Sequence, residues 1–366
     1  LINSFLVLYS FRFSKTITYM LQVSEYRAGK YFKWFIDTDD FSKVITRQEL
    51  IKTSRARAIM LGINAGVLIE ILSGIILIIL GLSGKLVGGL YFGLALIVIY
   101  PLVWSVGIGL LVSLARLVII NPEEKKQISS SKEIIKKHQA KKIAVLGSYG
   151  KTSMKELLTK VLGHKFKVAS TPGNKNVAIS HARFIKKLKG DEDFVIIEYG
   201  EGAPGDIAKF ASNTHPDYAV ITGISPAHLD KYKDLEDIGK DLFSINKFVV
   251  EKNVYVNYDS EKTHKFIKDG NNKYSKDGVK GFKVDNVVNS INGISFDLTN
   301  TKTKIHVKSK MLGRHQIAPL SLVAELAYEF GMNQKEIELA LKDTESYEHR
   351  MKPYELSGAT IIDDTY

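Results

Sequence analysis

A glycine-rich segment that could bind phosphate lies where an apolar run gives way to a helical pattern. It consists of Gly147, Ser148, Tyr149, Gly150, Lys151, Thr152 and Ser153. At a strand-to-helix junction, glycines let backbone N–H groups turn toward phosphate oxygens. The lysine reaches the outer phosphates, and the threonine hydroxyl ligates Mg²⁺. Although Val145 replaces the first glycine of the strict motif, the context predicts a nucleotide-binding loop, with a plain turn as the alternative.

Two further side chains that can hold a metal follow apolar strands. Residues 194–197 end on Glu198, and residues 218–223 lead into His228. The carboxyl ends of parallel strands meet at one edge of a sheet, so both groups should lie beside the loop. We predict that Thr152 and Glu198 bind Mg²⁺ and that His228 binds a second metal or phosphate. An acid in a helical first turn and a structural histidine are the alternatives.

The elements needed to position these residues can be recognised from periodicity. Residues 142–147 form an apolar run typical of a buried parallel strand, and residues 152–162 have the apolar spacing of a helix. Four later segments repeat the strand-then-helix order, and residues 281–284, 293–298 and 304–307 are expected to extend the sheet edge. Helices are expected at 315–330 and 334–341. The prediction is an α/β, doubly wound, mostly parallel sheet with a phosphate loop.

Two apolar stretches precede this domain, at residues 59–82 and 87–115. Each is close to or above the roughly 20 residues that cross a bilayer, so a transmembrane helical hairpin is predicted. Glu70 within the first stretch would be protonated, paired in the bundle or displaced toward an interface. Pro101 leaves open one long tilted span or two shorter segments.

The formal charge of +12 is concentrated beside the apolar stretches. The flanking basic residues are Arg27, Lys30, Lys33, Lys43, Arg47, Lys52, Arg55 and Arg57 before them, and Lys125, Lys126, Lys132, Lys136 and Lys137 after them. The connection between the stretches holds only Lys85. This distribution indicates an anionic membrane surface as partner and no nucleic acid, with both flanks and the soluble domain in the cytoplasm.

The predicted organisation therefore has four parts: a basic cytoplasmic segment at 1–58, a multi-pass transmembrane region at 59–120, a linker at 121–140 and a nucleotide-binding domain at 141–366. Both ends are expected to be truncated, and the apolar opening at 1–9 could be the remnant of another span. The sequence has no cysteine. Disulfides, thiolate metal sites and thiol nucleophiles are thus excluded.

Six motifs occur in an order that resembles the Mur ligases. They are Gly147–Ser153, Thr171–Asn176, Ile197–Gly200 with Pro204–Ile207, Ile224–Asp230, Gly313–His315, and Arg350 with Asp363–Tyr366. The resemblance covers about residues 141–366. It implies the central ATPase domain of an ATP-dependent amide ligase of peptidoglycan synthesis. The family activates a UDP-muramoyl-peptide carboxylate as an acyl phosphate, which an amino acid or D-alanyl-D-alanine then attacks.

The resemblance also implies roles for individual residues. Lys151 and Thr152 would bind the ATP phosphates and Mg²⁺, Glu198 one magnesium ion, and His228 the second. The remaining implied contacts to phosphate, precursor or nucleotide are Asn174, Asn176, Arg350 and Asp363.

Several positions depart from the family pattern. A lysine that is modified to a metal-bridging carbamate usually lies fourteen residues after the motif histidine, where this chain has Leu242. Gln316 and Pro319 stand where asparagines are expected. The family's C-terminal ligase domain would follow Tyr366, where we expect the chain to be truncated. Two alternatives stay open. A poly-gamma-glutamate synthase type ligase also pairs membrane segments with this ATPase domain. Leu242, Gln316 and Pro319 favour a catalytically reduced nucleotide-binding membrane scaffold of cell-wall synthesis.

Overall fold

The computed structural model describes residues 9, 12–24, 26–38, 50–173, 175–227 and 229–365. The chain divides into two compact units, Leu1–Glu124 and Lys125–Tyr366. Residues 1–8, which contain most of the apolar opening, lie outside the described part. So do the predicted site residues Asn174 and His228.

The first unit is helical. Its helices are α1 (Phe13–Val23), α2 (Ala28–Asp37), α3 (Ser54–Leu82) and α4 (Gly89–Ala115), followed by a π-helical turn (Arg116–Ile120). Helix α3 begins after Thr53, whose hydroxyl accepts a hydrogen bond from the Ala56 N–H at 3.1 Å. Helix α4 continues through Pro101 without interruption. The second apolar stretch is therefore one long helix rather than two short segments.

Glycines allow α3 and α4 to pack closely as an antiparallel pair. A Cβ atom at Gly74 would lie 2.9 Å from the Gly93 carbonyl oxygen, and one at Gly89 would lie 2.6 Å from the Leu77 carbonyl oxygen. Such close backbone approach is typical of small residues between apolar helices. Further along the same pair, the Trp104 indole N–H donates to Glu70 at 2.6 Å. Glu70 is thus paired within the helix bundle.

Both long helices meet the length and composition of membrane spans, with mean hydropathies of 2.6 and 2.3. They differ from the core helices of a soluble protein in exposure. In the most apolar stretch of α3, only 6% is buried inside the structure. In the most apolar stretch of the helix that starts at Gly89, 28% is buried. Most of the large apolar side chains on these helices therefore face outward.

The second unit is built on a ten-stranded sheet with the order β10-β9-β8-β7-β6-β5-β4-β1-β3-β2. Its strands are β1 (Lys141–Leu146), β2 (Val168–Ser170), β3 (Phe194–Glu198), β4 (Tyr218–Ile221), β5 (Val254–Asn257), β6 (Asn272–Ser275), β7 (Gly278–Val279), β8 (Phe282–Ser290), β9 (Gly293–Thr299) and β10 (Lys304–Ser309). The pairs from β2 through β6 are parallel, and those from β6 to β10 are antiparallel. The predicted edge strands thus extend the parallel sheet as expected.

Helices cover both faces of this sheet. They are α5 (Asn121–Lys137), α6 (Lys151–Leu162), α7 (Ala178–Ile185), α8 (Asp206–Thr214), α9 (Leu235–Phe243), α10 (Ile317–Glu329) and α11 (Gln334–Lys342), and a separate hairpin pairs β11 (Lys352–Leu356) with β12 (Ala359–Asp363). Because side chains alternate along a strand, Val145 packs in the core beneath α6 and α10, and Ala144 packs in the core on the opposite face. The apolar stripe predicted for α10 and α11 is confirmed as core.

The outer edge of the sheet at β10 is covered by backbone and side-chain contacts. The His306 N–H donates to the Glu338 carboxylate of α11 at 2.9 Å. The Lys310 N–H, just beyond the strand, donates to the Thr344 carbonyl oxygen at 2.9 Å. These amides of the edge therefore already have partners within the chain.

Candidate functional site

The loop between β1 and α6 has the backbone conformation that its glycines predict. Gly147 and Gly150 have φ angles of 137° and 71°, which side chains with a Cβ rarely adopt. A Cβ at Gly147 would also overlap the Thr222 hydroxyl. The Ser148 N–H donates to the Gly223 carbonyl oxygen at 2.9 Å, which ties the loop to the end of β4. The loop is therefore held against two strand ends.

Lys151, the first residue of α6, has two partners in this loop region. Its ammonium group donates to the Gly147 carbonyl oxygen and to the Glu201 carboxylate, the latter at 2.8 Å. The Glu201 side chain is 2% exposed and that of Lys151 is 13% exposed. The lysine of the loop thus forms a buried ion pair with an acid that the sequence motifs do not single out.

Thr152 and Glu198 meet as predicted. The threonine hydroxyl donates to one carboxylate oxygen of Glu198 at 3.1 Å. The other oxygen, Oε2, is buried and has no hydrogen-bond partner, although the Lys155 ammonium lies 3.4 Å away. Lys155 is fully buried and donates to the carbonyl oxygens of Thr171 and Gly173. This pair therefore presents a hydroxyl and a carboxylate with unused acceptor capacity.

A buried histidine supports Glu198 from behind. The Nε2 atom of His181 lies 2.8 Å from the Glu198 carbonyl oxygen, and the Glu198 N–H donates to the Thr171 hydroxyl at 3.0 Å. Burial lowers the pKa of His181 to about 4, so its ring is neutral near pH 7 and Nε2 carries the donated hydrogen. The backbone of Glu198 is thereby fixed on both sides.

An open cavity of about 660 Å³ adjoins the loop. Its lining includes Tyr149, Gly150, Ser153, Thr222, Asn257, Arg314, His315, Gln316, Pro319, Arg350 and Asp364. Arg350 donates to the Ser153 hydroxyl at 3.4 Å. Gln316 and Pro319, which depart from the family pattern, both face this space.

The other predicted contact residues have different surroundings. Asp363 accepts hydrogen bonds from His349 at 2.8 Å and from the Thr365 hydroxyl at 2.6 Å, whereas its neighbour Asp364 lines the cavity. The Asn176 carbonyl oxygen accepts from the Gly200 N–H at 2.9 Å, and its side chain lies against that glycine, two residues after Glu198. Asn174 and His228 lie outside the described residues.

Leu242 is fully buried in the apolar core beneath the sheet. Neither nearby lysine takes its place in the interior, because Lys247 is exposed and Lys240 pairs with Glu236 at 2.9 Å on the surface. The adjacent Asp241 accepts from the Gly205 N–H at 2.9 Å and from the Tyr232 hydroxyl at 2.7 Å. Helix α9 therefore contributes an anchored acid and an apolar side chain to the interior, whereas its lysine, Lys240, lies on the surface.

Within the described ranges, no three histidine, aspartate or glutamate side chains gather closely enough to hold a metal ion unaided. Any Mg²⁺ at Thr152 and Glu198 would thus need oxygens from a bound phosphate and from water. This is the usual manner of Mg²⁺ binding, with one or two carboxylates and substrate phosphates.

Comparison with known proteins identifies the domain. Residues 145–327 match the model of the Mur ligase middle domain, which is half of the chain. UDP-N-acetylmuramoyl-tripeptide--D-alanyl-D-alanine ligase of Buchnera aphidicola is 30% identical over 241 residues, or 63% of this chain and 52% of the relative. The Escherichia coli ligase of the same name is 27% identical over 62% of this chain and 52% of its own length. The chain thus spans about half the length of the curated relatives it matches.

Solved structures agree on the fold. The Acinetobacter baumannii MurF crystal structure superposes with a TM-score of 0.60 at 20% identity, covering 66% of this chain and 55% of that one. Thermotoga maritima MurF ligase, solved in complex with ADP, gives a TM-score of 0.59 at 23% identity, covering 66% of this chain and 57% of that one. The central sheet and its helices are therefore shared with these proteins.

Proposed function

Because this chain belongs to the Mur ligase family, we propose that it is the ATP-binding part of a membrane-attached ligase that forms an amide bond on a peptidoglycan precursor. One observation carries the proposal. The Thr152 hydroxyl and the Glu198 carboxylate meet at the carboxyl ends of β1 and β3. Thr152 directly follows Lys151 in the chain, and the next residue, Ser153, lines the 660 Å³ cavity. The names of the relatives supply the substrates: a UDP-muramoyl tripeptide and D-alanyl-D-alanine.

ATP is the proposed nucleotide, with its phosphates over the loop and its base and ribose toward the cavity. Backbone N–H groups at the start of α6 and the Lys151 ammonium offset phosphate charge, as at other helix N-termini that bind anions. The residues proposed to contact ATP or the precursor are Gly147, Ser148, Tyr149, Gly150, Lys151, Thr152, Ser153, Asn174, Asn176, Arg350 and Asp363. Asp364 joins them because it lines the cavity.

The residues present fit a magnesium ion. The Oε2 atom of Glu198, which accepts no hydrogen bond, and the Thr152 hydroxyl are hard oxygen ligands, and they lie at the loop where the phosphates would be. We propose Thr152 and Glu198 as ligands of one Mg²⁺ and keep His228 as the sequence-based candidate for a second. When bound, the metal would neutralise charge on the transferring phosphoryl group.

The proposed reaction has two chemical steps. A carboxylate oxygen of the precursor attacks the γ-phosphorus of ATP, and the bond to the bridging oxygen breaks to release ADP. The amine of the acceptor then attacks the acyl carbon, phosphate leaves and the nitrogen loses a proton. The chain's own contribution is to orient the triphosphate and to stabilise its charge, which requires no side-chain nucleophile.

The apolar helices suggest where this chemistry takes place. Helices α3 and α4 expose most of their apolar surface, which is costly in water and favourable in lipid. Basic residues flank the pair on both sides, whereas Lys85 is the one charged residue in the connection. We propose attachment to the cell membrane through this hairpin, with the ATP-binding domain in the cytoplasm.

The test is a phosphate-release assay on the purified full-length protein in detergent micelles or nanodiscs. With ATP, Mg²⁺ and UDP-muramoyl tripeptide, release is expected only after D-alanyl-D-alanine is added. Omitting the tripeptide is the matched control. Tight ATP binding without phosphate release, whichever amine acceptor is supplied, would contradict the ligase.

One observation favours a second candidate, a nucleotide-binding membrane scaffold with little catalysis. Leu242 is buried in the core at the usual carbamate position, and neither Lys240 nor Lys247 replaces the missing lysine. The same assay separates the two candidates, because the scaffold binds ATP without turning it over.

A further inference from the structure

The buried pair of Glu201 and Lys151 is the feature of the site that the proposed function leaves unexplained. Glu201 follows the strand that ends on Glu198, and its carboxylate lies 2.8 Å from the Lys151 ammonium. At 2% exposure its carboxylate has almost no contact with water. Such a group needs a cationic or hydrogen-bonding partner to stay charged.

Among the described residues, Glu201 has one cationic partner. In the described part of the chain, Lys151 is the one basic group within ion-pair distance of this carboxylate. Other acids lie in the same region: burial raises the pKa of Tyr232 most, and Asp241, Asp206 and Glu201 raise it further. Glu201 therefore depends on Lys151 for its charge balance.

Nucleotide binding disturbs this balance. A lysine at this position of a phosphate loop turns toward the outer phosphates, which carry several negative charges. Glu201 would then be a buried carboxylate that shares or loses its counterion next to an anionic ligand, which is strongly unfavourable. A divalent cation held between the phosphates and the carboxylate restores neutrality, since Mg²⁺ and Mn²⁺ bind carboxylate and phosphate oxygens together.

We propose that Glu201 is an exchangeable counterion: it holds Lys151 in the nucleotide-free protein and becomes a ligand of a second divalent cation when the triphosphate binds. The inference rests on the proposed function, because it requires that the loop bind ATP. Leu242 is packed in the core and cannot bind a metal. The carboxylate of Glu201 would supply a metal ligand in place of the carbamylated lysine that the family pattern has at that position. Unlike His228, which lies outside the described residues, Glu201 has contacts that the structure describes.

The two roles of Glu201 have opposite effects on nucleotide affinity, and Glu201→Gln separates them. Without a divalent cation, the variant frees Lys151 for the phosphates, so binding of a non-hydrolysable ATP analogue in EDTA should tighten about fivefold. With Mn²⁺, the variant lacks a ligand. Electron paramagnetic resonance should then count a single Mn²⁺ per bound analogue, against two in the wild-type protein.

Glu329→Gln is the matched control, because Glu329 is the partially buried partner of another lysine, Lys280, outside the cavity lining. It should change neither the affinity in EDTA nor the Mn²⁺ count. Thermal unfolding of each variant without nucleotide verifies that the chain is folded. All measurements use the full chain in the same detergent.

The outcomes show whether the role of Glu201 alone fails or whether the proposed function fails as well. An unchanged Mn²⁺ count in folded Glu201→Gln, or weaker binding in EDTA, makes Glu201 a structural anchor of Lys151 and overturns the inference alone. If the wild-type chain binds no nucleotide in either buffer, the proposed function fails and the inference fails with it.

Discussion

Lys151 is the residue on which the proposed nucleotide site most depends. Its ammonium group lies at the N-terminus of α6 and already contacts the carbonyl oxygen of Gly147 and the carboxylate of Glu201. The motif identified the lysine, but it did not identify its acidic partner. That partner comes from a loop 50 residues further along the chain, a proximity that only the tertiary fold creates.

Replacing Lys151 with alanine should abolish nucleotide binding. The change removes a charge-assisted contact to the phosphates and leaves Glu201 without its cation, so we expect affinity to fall by about 100-fold or more. Titration with a fluorescent ATP analogue measures this. Lys160→Ala, an exposed lysine on the same helix, is the control and should bind normally. Retained affinity in Lys151→Ala would mean that the loop does not bind the phosphates.

His181 should make the fold sensitive to acid. Burial lowers its pKa from 6.5 to about 4, so between these values the unfolded chain takes up a proton that the folded chain does not. The free energy of unfolding should thus fall as pH drops through this window, by roughly 2 kcal/mol from this residue between pH 7 and 4.5.

Urea unfolding of the full chain in micelles at the two pH values measures this contribution. His181→Gln, whose amide can still donate to the Glu198 carbonyl oxygen, should lose about 2 kcal/mol less on acidification than the wild type. Parallel pH profiles for His181→Gln and the wild type would refute the assignment.

At the scale of elements, apolar runs were sufficient to predict the strands that carry the site. The prediction for β3 has the bounds that the structure gives it, and the helix expected at 152–162 begins one residue earlier, at Lys151. The short strands β2 and β7 were not identified individually. They have three and two residues, which is too few to show the alternation of apolar and polar side chains that marks a strand. Their place in the sheet depends on hydrogen bonds to neighbouring strands.

The packing of α3 against α4 depends on glycine at their contact. A side chain at Gly93 would overlap the Gly74 carbonyl oxygen and crowd Ile78, so Gly93→Leu should force the helices apart. We expect a loss of roughly 2 kcal/mol of stability. Thermal unfolding in micelles measures it. Gly62→Leu on α3, where nothing lies within 4 Å of the added Cβ, should be neutral, and equal stability of both variants would exclude close packing at Gly93.

At the scale of the whole molecule, the chain joins an apolar helical unit to a Mur ligase middle domain. The sequence predicted both parts, because the length of an apolar helix and the order of motifs can be read along the chain without knowing any tertiary contact. The resemblance named Arg350, which lines the cavity and donates to Ser153, 197 residues earlier in the chain. The place of Asp364 on the cavity wall could not be predicted from a local pattern, because it depends on the hairpin of β11 and β12 that precedes it. Sequence reasoning named Asp363 and did not name Asp364.

The absence of cysteine allows a direct test of membrane orientation. Single cysteines at Lys85, in the connection of the hairpin, and at Lys126, after it, are exposed positions without background thiols. In intact cells stripped of any outer barrier, a membrane-impermeant maleimide should label Lys85→Cys and spare Lys126→Cys, and lysis should make both reactive. Labelling of Lys126→Cys before lysis would place the ATP-binding domain outside the cell.

The edge of the sheet at β10 has a consequence for crowding. Because Glu338 and Thr344 already bind amide groups of this edge, a second chain that approaches β10 finds these two donors occupied. Unprotected sheet edges are templates for fibril growth, and the risk rises with local concentration. Anchoring on a surface confines molecules to a thin layer and raises that concentration. If the proposed membrane attachment holds, occupied amides at β10 would oppose sheet-to-sheet association between neighbouring copies.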